Sequence, residues 1–285
     1  MTNMDITANA VGEIYQDATY APNKWFSSNP DKAWAEKFFL LYSPLWMSFM
    51  GGVMLTGLQN QIADIGFMLI SLIVSLPLVL VPAILKPHIS QGLRWYQSYW
   101  FKANLYIFIF SLFGNYFGSE YFFDVLGMVY NYPTISWNFD SQLLGSGKQV
   151  VPLIMYFLTQ AYFITYHTSA TVVLRRIRST GLKINLVIWG FLIFAVGYFW
   201  AWMETKAMAN PFMRESFYYE KMDAMLMYGS MFYACYFIAS FPVFYQIDEQ
   251  TEKSWSVKDT IVYALAVSMI VFFLLDFWTK FIGTI

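Results

Sequence analysis

The chain has 285 residues, of which 58% are hydrophobic, 21% aromatic and only 12% charged, with 17 Lys+Arg against 18 Asp+Glu and a net charge of -1. Soluble domains carry about 25% charged residues, so the composition excludes a soluble globule and indicates an integral membrane protein. The neutral balance argues against nucleic-acid binding; the single cysteine, Cys235, excludes an intrachain disulfide framework and a multi-cysteine metal site, and two histidines, His88 and His167, argue against a His-built one.

Residues 1–28 read as a polar, flexible tail. They open with no basic segment followed by a short apolar core, so no cleaved signal peptide is expected. Charge-free runs then cover 38–63, 65–85, 103–119, 149–174, 184–203, 224–247 and 260–275. A hydrocarbon core about 30 Å thick needs about 20 apolar helical residues. Transmembrane helices are therefore expected near 38–58, 65–85, 99–119, 150–174, 184–206, 224–247 and 259–282. The alternating strands of about 10 residues that build a membrane β-barrel are absent. The expected fold is an all-α bundle of about seven transmembrane helices, with residues 29–285 forming one polytopic domain. Seven crossings put twelve Lys and Arg on the side of the N-terminus and five on the other. The positive-inside rule then makes the N-terminus cytoplasmic. The run Leu174-Arg-Arg-Ile-Arg178 serves as a topology anchor on this count, or alternatively as a phosphate-binding patch.

Pro44, Pro77, Pro82, Pro152 and Pro242 lie inside the spans, where neighbouring helices can satisfy the carbonyls they free. Gly114 and Gly118 form a small-xxx-small pair that permits close helix approach. Ionisable groups at membrane depth are functional candidates by default. Along the chain the polar candidates are Asn104, Asn115, Tyr116, His167, Glu204 and Asp276, with Trp200 and Trp202 close to Glu204. Each has a plainer alternative. Glu204 can sit solvated at the interface beside Lys206, and Asp276 can pair with Lys280 at i,i+4. His167 can donate to a backbone carbonyl in a packed core, and Tyr116, Trp200 and Trp202 can belong to an aromatic belt.

Several stretches in a shared order resemble the cycloeucalenol cycloisomerase family of cyclopropyl-sterol isomerases. They are Trp34-Ala-Glu-Lys-Phe-Phe-Leu-Leu-Tyr42 with Pro44 and Trp46, Tyr99-Trp-Phe-Lys-Ala-Asn104, and Gly114-Asn-Tyr-Phe117 followed by Tyr121-Phe-Phe123. Farther along come Tyr166-His167, Leu174-Arg-Arg176, Glu204-Thr205 with Ala209-Asn210, Ser240-Phe-Pro242, Asp248-Glu249, and Leu275-Asp276 with Trp278. The resemblance runs from about Trp34 to Gly283. The tail before about Trp25 has no counterpart, and Glu120 and Asp124 stand where plant members carry basic residues, which ranks both below Glu204.

The resemblance implies opening of the 9β,19-cyclopropane ring of a cycloeucalenol-type sterol to a Δ8 sterol of the obtusifoliol type. The reaction is redox-neutral, so no cofactor and no metal is expected. Protonating carbon calls for a strong acid stored in its neutral form, and a carboxyl in an apolar site can wait protonated. Glu204 is the first choice and Asp276 the second; the proton lost is taken by the conjugate carboxylate or by His167. Aromatic faces stabilise the intermediate cation, with Trp200 and Trp202 as candidates. Asn104, Asn115 or Tyr116 would bind the sterol hydroxyl. Expected partners are the sterol and the lipid bilayer, in the endoplasmic reticulum membrane of a eukaryote or the inner membrane of a bacterium. The rival functions are a sterol Δ8-Δ7 isomerase and a non-catalytic sterol-binding or transport protein. A retinal protein would need a lysine midway along the last span, and residues 260–275 have none.

Overall fold

A computed structural model of the chain describes residues 24–85 and 92–285. The expected tail up to residue 23, Lys86 and His88 lie outside the described residues. Each apolar run contains a helix, but the one in 149–174 starts only at Met155, so Pro152, expected inside a span, instead forms a β-bridge with Asn138. Helix α1 is Pro30–Thr56, and α2 (Asp64–Ser75) and α3 (Pro77–Leu85) form a broken pair. Helix α4 (Tyr99–Phe113) continues through a π-helical turn at Gly114–Gly118 into α5 (Ser119–Asp124). Then come α6 (Met155–Arg178) and α7 (Leu186–Met208). Helix α8 (Met222–Ala224) runs through a second π turn, Met225–Gly229, into α9 (Ser230–Gln246), and α10 is Val257–Ile282. The chain is thus a mostly helical membrane protein. One amendment to the all-α expectation is a two-stranded antiparallel ribbon of β1 (Met128–Tyr130) and β2 (Phe217–Tyr219), with Met128 opposite Tyr219.

Four segments are long and apolar enough to cross a membrane by length and composition alone: α1, α7, the α8–α9 rod and α10. The α2–α3 pair, bent by 40°, makes a fifth. The α4–α5 rod and α6 do not qualify. Helix α4 runs only 15 residues before its π turn. Helix α6 carries Gln160, Thr165, His167, Thr168 and Thr171, all buried. It packs against α1, α2, α4, α7 and α9, so its polar groups face protein rather than lipid.

Local chemistry sets the ends and breaks. Asn29 caps α1, its side chain accepting from Asp31 N at 3.0 Å with Pro30 following, as expected for an N-cap. Asn185 caps α7 through Ile188 N at 2.9 Å, and Ser256 with Asp259 forms a capping box on α10. Pro77 and Pro82 have no N–H for the carbonyls four residues earlier. The Tyr42 hydroxyl donates to the freed Ile73 carbonyl at 3.2 Å and to Val74 O at 2.9 Å. Asn104 donates to the Leu78 carbonyl, which Pro82 leaves open, at 3.0 Å. Helices α1 and α6 are joined by Ser43 and Thr165 at 2.8 Å and by Trp46 Nε1 donating to Thr165 at 3.1 Å. Gly114 and Gly118 make room for one ring, Tyr236 of α9: a Cβ on Gly118 would stand 1.7 Å from its hydroxyl oxygen.

At one end of the bundle, six charged residues form an internal network. Arg175 spans two carboxylates, reaching Glu36 at 2.6 Å and Glu249 at 2.6 Å. Lys32 pairs with Glu249 at 2.9 Å and donates to the last carbonyls of the α9 end, Tyr245 O at 2.6 Å and Ile247 O at 2.7 Å. Lys102 pairs with Asp248. Three cations and three anions balance, which buried charge requires. Asp248 holds φ at 49°, a left-handed conformation that Asp tolerates and that turns the chain directly after α9. Arg175 is 1% exposed and spans two carboxylates, which takes it out of the phosphate-patch alternative. Lys32 and Lys102 are likewise buried rather than solvated loop charges. Residues 24–28, the end of the expected tail, dock here: Trp25 O accepts from Arg175 at 3.0 Å and Ser27 N donates to Glu36 at 3.2 Å.

The opposite end gathers the other connections. Asn131 donates to Glu215 O at 2.9 Å, Thr134 to Ile62 O at 2.7 Å, and Ser136 N to Asp64 at 2.8 Å. Ile285 N donates to Val125 O at 2.8 Å.

Candidate active site

Below the β ribbon, between α5, α6, α7 and α9, lies a cavity of about 90 Å³ whose wall includes Glu204, Asn115, Thr159, Tyr162, Tyr219 and Tyr233. It is smaller than the roughly 300 Å³ at which small-molecule pockets begin. Three of its wall residues are Met128, Met155 and Met208, unbranched side chains that repack readily.

Glu204 lies one turn before the end of α7, with its carboxyl facing the cavity. The Tyr233 hydroxyl of α9 donates to Glu204 Oε2, and the Tyr166 hydroxyl of α6 lies within hydrogen-bonding reach of the same carboxyl. The alternative of a carboxyl solvated at the interface beside Lys206 does not describe it, because Glu204 lines the cavity and Lys206 sits over the Trp202 ring, 5.3 Å from the centroid. The carboxyl thus has one phenol donor, a second phenol close by and an aromatic enclosure. Such a group can give up a proton to a ligand in the cavity and be stabilised as a carboxylate afterwards by donors already in place.

Asn115, in the first π turn, shares the cavity. Its amide donates to Thr159 at 2.7 Å and to Ser111 O at 2.8 Å, which leaves its carbonyl oxygen as the free acceptor. The structure does not bring the other expected residues into the cavity. His167 is fully buried on α6 in a cage of rings, with Phe241 at 4.9 Å and Phe244 at 5.1 Å. Its Nδ1 faces Phe163 O at 2.7 Å and its Nε2 faces Ser240 Oγ at 2.6 Å. The carbonyl can only accept, so Nδ1 carries the proton and Nε2 accepts from the serine. Asp276 lies on the exposed side of α10, taking a hydrogen bond from Tyr121 at 3.3 Å. Asn104 is committed to Leu78 O and accepts from Gln160 at 3.0 Å. Tyr116 packs on Phe139 at 4.9 Å. Trp200 stacks on Tyr166 at 4.6 Å, behind the cavity wall, and Trp202 holds Lys206.

The tyrosines around Glu204 were not expected. One carried a signal: Tyr162 precedes Tyr166 by four residues, so helical spacing puts both on one face of α6. Tyr219 and Tyr233 arrive from β2 and α9, and local sequence pattern does not reveal such long-range partners. Among the described residues no cluster of His, Cys, Asp or Glu could hold a metal ion.

Comparison with known proteins adds a relative. Cycloeucalenol cycloisomerase of Arabidopsis thaliana is 38% identical over 273 residues, covering 93% of this chain and 91% of its own. No family model matches the chain, and no solved structure matches it.

Proposed function

Because the chain belongs to the cycloeucalenol cycloisomerase family and is an isomerase, we propose that it opens the 9β,19-cyclopropane ring of cycloeucalenol-type sterols to give a Δ8 sterol, with Glu204 as the acid. The observation that carries this reading is a carboxyl facing an aromatic cavity, with tyrosine hydroxyls as its partners. Glu204 gives its proton to the cyclopropane methylene. The bond between that carbon and C9 breaks, its electron pair forms the new C–H bond of the angular methyl group, and C9 is left as a tertiary cation. Loss of the 8β hydrogen then forms the double bond from the C8–H electron pair. Methylene and hydrogen lie on the same β face of the sterol, so the carboxylate of Glu204 takes that proton and is restored.

Tyr233 and Tyr166 stabilise the transient carboxylate. The cation lies against tyrosine and phenylalanine faces of the cavity, an attraction of about 0.5–2 kcal/mol per favourable ring. Asn115 lies at the polar end that suits the sterol hydroxyl. His167, with both nitrogens engaged, orients the α6–α9 contact, and Asp276 takes no part. All seven helical segments cross the bilayer as one domain, with the N-terminus cytoplasmic. In a eukaryote the membrane is that of the endoplasmic reticulum, and in a bacterium the inner membrane.

Incubating the purified protein with cycloeucalenol and identifying the sterols by mass and retention tests the reaction. Conversion to a Δ8 product is expected. The Glu204→Gln variant should bind sterol and keep its fold while losing conversion by about 100-fold or more, the usual reach of a positioned acid. Full turnover by that variant would remove Glu204 from the mechanism, and bound but unchanged sterol in the wild type would favour a carrier.

A further inference from the structure

The cavity holds a polar group that the chemistry above leaves unused. Tyr162 is 5% exposed, and its hydroxyl is buried without a hydrogen-bond partner. Other buried polar side-chain atoms among the described residues share that condition, but Tyr162 alone among them belongs to the cavity wall. Native buried polar groups are nearly always paired, so an unpaired one beside a cavity calls for an explanation. The ring is fixed from two sides: Trp46 packs on it at 4.8 Å, and Tyr166 stacks at 6.5 Å with only 8° between planes. Tyr162 shares the cavity wall with Glu204 and Tyr130. Thr159, one helical turn earlier on the same face, holds Asn115 at 2.7 Å, so the open Asn115 carbonyl oxygen belongs to the same part of the wall.

We propose that Tyr162 donates its hydrogen bond to the 3-hydroxyl of the sterol, which in turn donates to the Asn115 carbonyl oxygen, so that this pair sets ring A and turns the cyclopropane toward Glu204. The assignment rests on the ring-opening reading and adds the residue that selects for the hydroxyl. A hydroxyl is both donor and acceptor, and the two groups offer one of each. A site built to pair a substrate hydroxyl rejects an analogue lacking it far more strongly than an apolar pocket does, because its own groups are then left unpaired. The fixed ring means that little side-chain freedom is lost on binding.

The test uses the purified full chain, wild type and Tyr162→Phe, with cycloeucalenol and its 3-deoxy analogue, reading kcat/KM for each. The wild type should prefer the 3-hydroxy sterol by about ten-fold or more, and Tyr162→Phe should reduce that preference by about ten-fold. The loss should fall on the 3-hydroxy substrate, with the 3-deoxy rate little changed. The variant's unfolding temperature should match the wild type, since the lost oxygen bonds to nothing in the protein. Equal discrimination by variant and wild type, or no discrimination by the wild type, would overturn the assignment. A wild type that opens neither sterol would instead bring down the ring-opening reading itself.

Discussion

At His167 two roles make different demands. A base needs a nitrogen lone pair facing the substrate, whereas this ring spends Nδ1 on Phe163 O at 2.7 Å and Nε2 on Ser240 Oγ at 2.6 Å. Replacing it with Asn keeps a donor near the Nδ1 position and removes the basic nitrogen. His167→Asn should lower stability by about 1–3 kcal/mol through the lost serine contact, while turnover per folded molecule stays within about threefold. A catalytic base would cost about 100-fold to 10,000-fold, so activity normalised to folded protein decides. The residues legible in the sequence were those whose type is out of place in hydrocarbon: Glu204 and Asn115 stood out, and both reach the cavity. Asn104 and His167 stood out for the same reason yet serve the fold, one closing a carbonyl freed by Pro82, the other tying α6 to α9. Polarity at membrane depth marks a group that must be satisfied, and the partner that satisfies it comes from another helix. The tyrosines escaped notice because 21 of them occur in the chain and each is at home in a membrane protein.

The helices themselves were plain in the charge-free runs, because apolar length is a local property. Their interruptions were not. The π turns at Gly114–Gly118 and Met225–Gly229 depend on how α4 and α9 pack, and π turns often mark functional sites. Here the first carries Asn115 into the cavity. The glycine pair suggested a close approach, and the structure identifies the neighbour as Tyr236, whose ring lines the same cavity. Gly118→Ala would put a Cβ 1.7 Å from the Tyr236 hydroxyl oxygen and 3.0 Å from its Cζ. Overpacking of this kind costs about 1–3 kcal/mol, and the ring it displaces lines the cavity. The variant should therefore unfold at lower temperature and also turn over more slowly per folded molecule. Adding Tyr236→Phe removes the closer of the two contacts and should recover most of the lost stability. The rescue, read as a double-mutant cycle in thermal unfolding, separates this contact from a general effect of alanine in the π turn.

Across the whole molecule the connections sort into two sets. Lys32, Glu36, Lys102, Arg175, Asp248 and Glu249 come from the start of α1, the start of α4, the end of α6 and the turn after α9, and they meet in one buried network. The turns after α1, α5 and α7 meet the C-terminal residue at the other end. Seven crossings would need the α4–α5 rod and α6 to span as well, whereas composition admits only four or five segments. The charge count behind the seven-span expectation included residues that are not loop charges at all, since Lys32, Lys102 and Arg175 are buried in ion pairs. The network holds four chain segments together, and removing one partner of a buried pair typically costs about 3–5 kcal/mol. Two exposed positions discriminate the possible topologies: Gln142, between α5 and α6, and Thr251, between α9 and α10. With seven crossings they lie on opposite sides of the membrane. If only the four or five segments that qualify by composition cross, both fall on one side. In a Cys235→Ser background, single cysteines at these positions would be treated with a membrane-impermeant maleimide in sealed vesicles of one orientation, then after permeabilisation. One site should label in sealed vesicles and the other only after permeabilisation. With the cytoplasmic side inward, the Gln142 position should be the one labelled first, and equal labelling of the two in sealed vesicles would rule out seven crossings.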